Sequence, residues 1–280
     1  MNTQNTIEIP NYNVSLQPLF LPGNVATKLC ATVRDDTGEA LACVSDRYEV
    51  VQNHDLVSAV NRGLGNLGLT PTKSETFVER NGARFNRRFE FRDKTTKIHG
   101  IGDEVGLRLT IQNSFDGCTG IRFILGILRL VCLNGAVRSG AEFNINQRHT
   151  GLDGFLQVIE DGVRSSVEQF DTVAQEFGIL AERGVTQGQG KLILEHFVTR
   201  NVISNRIAEP IQHVWAHPTH LADQPRNLWS LYNAATEVLT HQVESRSYGL
   251  AHTANRRISD ALIGAAHNDA AFENLLALPS

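Results

Sequence analysis

The 280-residue sequence is 41% hydrophobic and 20% charged with a net charge of −4, a globular composition that excludes a long disordered chain. No apolar run nears the roughly 20 residues of a membrane-spanning helix; the longest, residues 121–133, is broken by Arg122 and Arg129, so no membrane partner is expected. The N-terminus carries no basic or apolar leader region. Four widely spaced cysteines without a CxxC pair read as free thiols of a cytoplasmic protein.

Charge is uneven along the chain. Residues 1–150 hold 17 Lys and Arg against 15 Asp and Glu, whereas residues 151–280 hold 9 against 15. Within the first part, residues 84–97 carry Arg84, Arg87, Arg88, Arg92, Lys94 and Lys97 against Glu90 and Asp93. Such a stripe can attract polyanions on an acidic protein, because the field is set within about one Debye length, roughly 8–10 Å. A solvated sheet face is the alternative reading.

In chain order, residues 1–24, with Pro10, Pro18 and Pro22, read as an irregular arm or edge segment. Strands are expected at residues 26–34 and 40–51, then a helix over 54–67 with Asn53 as its N-cap. Asn81-Gly82 between residues 75–80 and 83–92 predicts a type I′ hairpin, since both turn positions need φ > 0. On its second strand Phe85, Phe89 and Phe91 alternate with Arg88 and Arg92, so these arginines are expected on the face opposite the core. Residues 104–112 alternate almost without fault and read as a half-buried antiparallel strand. Residues 119–132 read as a central strand or a buried helix.

Beyond Gly151 the periodicity becomes helical. Phe155, Ile159, Val163, Val167, Phe170, Ala174 and Phe177 predict one helix of about 25 residues. Residues 186–190 break the pattern, and further helices are expected at 191–207, 227–242 and 253–267, with 210–225 a loop-rich connection. The fold class is therefore α+β: an antiparallel β-sheet with a helix in the N-terminal half, and a helical C-terminal half. The division is an arm at 1–24, a sheet domain at 25–150 and a helical region at 151–280.

Candidate chemistry is sparse. His213, His217 and His220 match no zinc spacing, and Pro218 interrupts them, so they read as solvated loop histidines. Cys132 with His149 would make a nucleophilic pair, but a thiol in an apolar run reads as core filler. Residues 184–190 lack phosphate-loop spacing, and Asp116 reads as a turn residue. No catalytic group, cofactor or metal is expected. The remaining signal is the basic sheet. Arg84, Arg87, Arg88, Arg92, Arg108 and Arg122 are the candidate nucleic-acid contacts, each neutralising phosphate.

Several segments in order carry a resemblance: VSDRYEVVQNHDL, LTIQNSFDGCTGIRF, LRLVCLNGAV, NQRHTG and LWSLYNAATEVLTH. The Arg129–Gly135 stretch, Arg148-His149-Thr150 and the Tyr232–Glu237 helix together resemble the phage- and plasmid-borne family of domain of unknown function 932. The order of elements is also similar to the Redβ-like and Rad-type single-strand annealing proteins. The resemblance implies a phage or plasmid recombination accessory that binds single-stranded DNA non-specifically and promotes annealing as a homo-oligomer. The alternative is a host-takeover or anti-defence protein that binds a host protein.

Overall fold

The computed structural model describes residues 8–98, 102–144 and 155–277. Among the described residues, eight strands precede eight α-helices, apart from one helix inserted after the third strand. The strands form two sheets, β1-β2-β3 and β4-β5-β6-β7-β8, each a run of neighbours in sequence order. The chain is thus α+β, with antiparallel pairing in the N-terminal half and mostly helix in the C-terminal half.

The chain groups into two compact units. The first comprises Met1–Phe91, Leu109–Ile124 and Glu142–Glu168; the second comprises Arg92–Arg108, Leu125–Ala141 and Gln169–Ser280.

In the first unit, β1 (Val14–Leu21), β2 (Val25–Arg34) and β3 (Ala40–Ser45) form the smaller sheet. β1 occupies much of the segment expected to be an irregular arm. Its Pro18 is tolerated because β1 is an edge strand and the register shifts between Pro18 and Phe20. One face of this sheet meets Phe115: the Thr32 hydroxyl donates to the Phe115 carbonyl at 2.9 Å, and Tyr12 and Val14 cluster with the Phe115 ring. Helix α1 (Asn53–Asn66) begins at Asn53, but its side chain does not cap it. Instead the Asn113 amide donates to the Asn53 Oδ1 and the Val51 carbonyl. α2 (Phe155–Glu168) passes close to Gly63, where an added Cβ would be in ordinary van der Waals contact, 3.4 Å from the Glu160 Cα.

β4 (Lys73–Glu79) and β5 (Arg84–Lys97) form the expected hairpin. Asn81 at φ 55°, ψ 25° and Gly82 at φ 100° supply the left-handed turn, which Ala83 N–H closes on the Arg80 carbonyl at 3.0 Å. Strand pairing resumes only at Glu79–Arg84, because the Ala83 carbonyl is taken by Phe115 N–H. β6 (Glu104–Ser114), paired between β5 and β7 (Arg122–Arg129), is buried on both faces rather than one: Gly106, Arg108 and Thr110 are buried like Leu107 and Leu109. β8 (Gly135–Asn144) completes the sheet.

The long predicted helix is two, α2 and α3 (Phe170–Glu182), separated at Gln169. Thr186 and Gln189 form a capping box that starts α4 (Gln187–Thr199), where a pattern break was expected. α5 (Asn205–Ala216) runs through Pro210 and takes up half of the expected loop. An interior proline costs about 3 kcal/mol or more; here Ile207, Ala208, Ile211 and Trp215 are buried along the same helix and offset it. α6 (Leu228–Val238), expected to be amphipathic, is buried almost all round, with Asn227 as N-cap. It is the central helix of the second unit, and the Tyr232 ring stacks on Phe177 at 5.4 Å. α7 (Tyr248–His267) and α8 (Asp269–Leu276) end the described chain, each capped by the side chain before it.

Candidate functional site

The six candidate arginines occupy different environments. Over its first half β5 is covered on both faces, with Asn86, Arg88 and Glu90 buried as well as Phe85, Phe89 and Phe91. Arg88, expected to project into solvent, is only 7% exposed. It stands directly across from Glu75, to which it is ion-paired, and 3.5 Å from Glu90 on its own strand. Lys73 adds a second cation to Glu75 at 2.8 Å, so two cations meet two carboxylates and the local charge closes. Arg87 faces Thr76 and donates to its hydroxyl at 2.8 Å, and burial lowers its pKa. Arg84 donates to Asp116 at 2.8 Å, with Arg80 3.8 Å from the same oxygen. Burial works to raise the Asp116 pKa, but Arg84 and the Cys118 N–H hold it below the usual carboxylate value. Arg108 is buried beside Gly135, where an added Cβ would overlap its guanidinium. Arg122 is half-buried, and only Arg92 is exposed.

A second constellation joins two of the sequence motifs. Arg129, 2% exposed, ends β7 and donates through Nε to Asp103 at 2.9 Å and through Nη1 to Asp223 at 2.7 Å. Each carboxylate has a further donor. Trp229 Nε1 reaches Asp103 at 2.9 Å, and the Asn233 amide reaches the other oxygen of Asp223 at 2.9 Å. Desolvation works to lower the Arg129 pKa, but Asp223 and Asp103 hold it raised. Next along β8, the Asn255 amide donates to the Gly135 carbonyl at 2.7 Å, and the Ser259 hydroxyl donates to the Val137 carbonyl at 2.6 Å. The Tyr232 hydroxyl completes this set by donating to Asn255, and burial pushes its pKa upward. The Arg129–Gly135 stretch and the Tyr232–Glu237 helix therefore meet in one polar network. Arg148, His149 and Thr150 lie outside the described residues.

This network fixes the loop between β7 and β8. Arg129 N–H donates to the Asn134 carbonyl at 2.9 Å, and Leu133 N–H donates to the Arg129 carbonyl at 2.8 Å. His241 Nε2 lies 2.9 Å from the Asn134 side-chain oxygen. Leu133 sits at φ 58°, a left-handed conformation that costs a branched residue roughly 1–2 kcal/mol. Yet its side chain is 38% exposed, and Val131 beside it is 56% exposed. Leu221, the most exposed large aliphatic among the described residues at 81%, opens the short turn whose Asp223 is bound by Arg129. Three aliphatic side chains are thus displayed from one buried ionic anchor. Cys132 between them is half-buried, and burial raises its pKa, which keeps it a thiol rather than a nucleophilic thiolate.

The remaining candidates are scattered. His213 and His217 pack ring to ring at 5.0 Å around the end of α5. Among the described residues, no group of three or more His, Cys, Asp or Glu side chains is placed to hold a metal ion, and no helix is long and apolar enough to cross a membrane. No curated protein and no solved structure matches the chain. The family described as Domain of unknown function (DUF932) matches residues 40–262, a span that contains the Arg129 network, β3 and the whole five-stranded sheet but neither β1 nor β2, and the chain belongs to that family.

Proposed function

We propose that the chain acts by binding another protein, through the aliphatic tip that the Arg129 network displays. One observation carries this reading: Leu133 is held in a backbone conformation unfavourable to leucine while a large part of its side chain faces solvent. Strain that serves packing is relieved by burial; strain that displays an apolar side chain on a rigid base fits recognition. A photo-crosslinking residue placed at Val131 in the producing cell tests it. The expected result is one discrete protein adduct, absent when the same residue replaces the exposed Lys191 and lost on Leu133→Asn. Asparagine tolerates the left-handed region, so the substitution removes roughly 1–2 kcal/mol of strain and about the same burial, and the fold is retained. No discrete adduct, or one indifferent to Leu133→Asn, refutes the reading.

A second reading is single-stranded DNA binding with strand annealing, and the outer end of β5 favours it. Arg92 and Lys97 are exposed and Lys94 is half-exposed, which places three basic side chains within six residues at that end of the strand. Binding carried by Arg92, Lys94 and Lys97 gives a salt dependence with a log–log slope of about −0.7 per contact, flattened when all three are replaced by Ala. An unchanged slope in that triple variant removes this reading.

A further inference from the structure

Arg87 on β5 is a half-buried cation with no carboxylate partner among the described residues. The arginines on either side of it differ: Arg84 has Asp116 and Arg88 has Glu75. The Arg87 Nη1 donates to the hydroxyl of Thr76, directly across on β4, at 2.8 Å, and the guanidinium stands 5.6 Å from the centre of the Phe89 ring. Both partners are buried. Its Nε is buried with no acceptor, and among the described residues no acceptor meets Nη2. Burial lowers the Arg87 pKa, and no nearby anion acts against it. A charge withdrawn from water without a counter-charge destabilises a fold, and one ring with one hydroxyl returns only part of its lost solvation.

We propose that Arg87 and Thr76 form an oxyanion site on the β4–β5 hairpin, which takes a phosphate or carboxylate group of a ligand. Three features select that chemistry. A guanidinium carries only donors, so what it still needs is an acceptor. The charge it lacks is negative, and a neutral acceptor such as a carbonyl does not supply one. The Thr76 hydroxyl accepts from Arg87 and keeps its own proton to donate, so neighbouring strands offer two donors side by side. Phosphate and carboxylate oxygens accept from guanidinium and hydroxyl alike, and such charge-assisted bonds are the stronger kind. The site uses neither the aliphatic tip at Val131 and Leu133 nor the exposed cations Arg92, Lys94 and Lys97. Its failure therefore leaves both readings above standing, and theirs leaves it.

Scanning calorimetry of the full chain at pH 7 in sodium chloride, sodium phosphate and sodium acetate of equal ionic strength tests the proposal. At about ten times a millimolar dissociation constant, the bound oxyanion should raise the parent's melting temperature by roughly 3 °C over chloride. Phosphate also stabilises proteins generally by exclusion from their surface, so the readout is the difference between parent and variant. Arg87→Met is expected to lose the added rise. A rise lost in phosphate alone assigns a phosphate-bearing ligand, and one lost in acetate alone assigns a carboxylate. Thr76→Val with Arg87→Met replaces both polar partners by apolar groups, which is close to neutral for a fold and keeps the test readable if the single variant fails to fold. In chloride this double variant should melt at or above the parent, because the uncompensated charge is gone. A parent indifferent to both oxyanions, an equal response in parent and variants, or a double variant that melts several degrees lower in chloride overturns the proposal. The last result would make Arg87 a purely structural residue.

Discussion

Replacing Arg129 by methionine removes the one cation that faces both Asp103 and Asp223 while keeping the side chain's length. Breaking a buried ion pair from one side costs about 3–5 kcal/mol, because the abandoned charge stays buried. Here two carboxylates are abandoned, but each retains one neutral donor, Trp229 for Asp103 and Asn233 for Asp223. These donors offset part of the loss, and the expected cost stays in the range of about 3–5 kcal/mol, a large share of the 5–15 kcal/mol that holds a typical domain folded. Urea denaturation followed by near-ultraviolet circular dichroism measures it, since Trp229 is buried and bonded to Asp103. Adding Asp103→Asn and Asp223→Asn to Arg129→Met removes the orphaned charges and should recover a substantial part of the stability. If Arg129→Met costs under about 1 kcal/mol, or if the triple variant is no better than the single one, the carboxylates are effectively solvated and the anchor is not what fixes the loop.

Two further substitutions test the packing and the pH response. Gly190→Ala lies inside α4, where alanine ordinarily stabilises by up to about 1 kcal/mol; a Cβ there would sit 2.3 Å from the Trp215 indole nitrogen. The expected outcome is therefore a loss of about 1–3 kcal/mol, read as a lower urea midpoint, and a stabilised variant would refute the contact. Asp116 has a lowered pKa, so its pairing with Arg84 is stabilising above the ordinary carboxylate value of 3.8 and is lost as pH falls through the lower folded value. Asp116→Asn should accordingly reduce stability at neutral pH and flatten its decline below about pH 4, whereas an acid limb identical to the parent's would count against the pairing.

The alternation of small and aliphatic residues, the Asn81-Gly82 turn and the switch to helical spacing placed most elements. The neutralised basic stripe was legible in the same signals. A two-residue turn at Asn81-Gly82 sets Arg80 against Ala83, and counting back along the strands sets Glu75 against Arg88 and Thr76 against Arg87, which is the observed register. Read through that register, Arg88 is a cross-strand partner before it is a surface cation. Thr186-Gln-Gly-Gln189 likewise carries the spacing of a capping box, although its glycines suggest a break. Other features had no local signal. Arg129 meets Asp103 and Asp223 across 26 and 94 residues, and no spacing rule reaches that far. β1 and α5 each contain a proline that local propensity counts against them, and only an edge position in one case and a buried face in the other explain their survival.

A buried ion pair is a poor source of net stability compared with apolar packing of the same volume, so stability alone is a weak reason for Arg129 to stand where it does. Its position suggests another. The side chain fastens the β7–β8 junction to Asp103 before β6 and to Asp223 before α6, and the backbone of the same residue closes the loop at both Leu133 and Asn134. One residue thus sets where the loop stands and which conformation Leu133 must adopt. An apolar residue at 129 would fill the space without fixing the angle between these three segments, because dispersion is not directional and a forked guanidinium is. The strained, exposed leucine and the buried, doubly paired arginine four residues before it are then parts of one arrangement, in which ionic geometry inside the unit holds aliphatic chemistry at its surface.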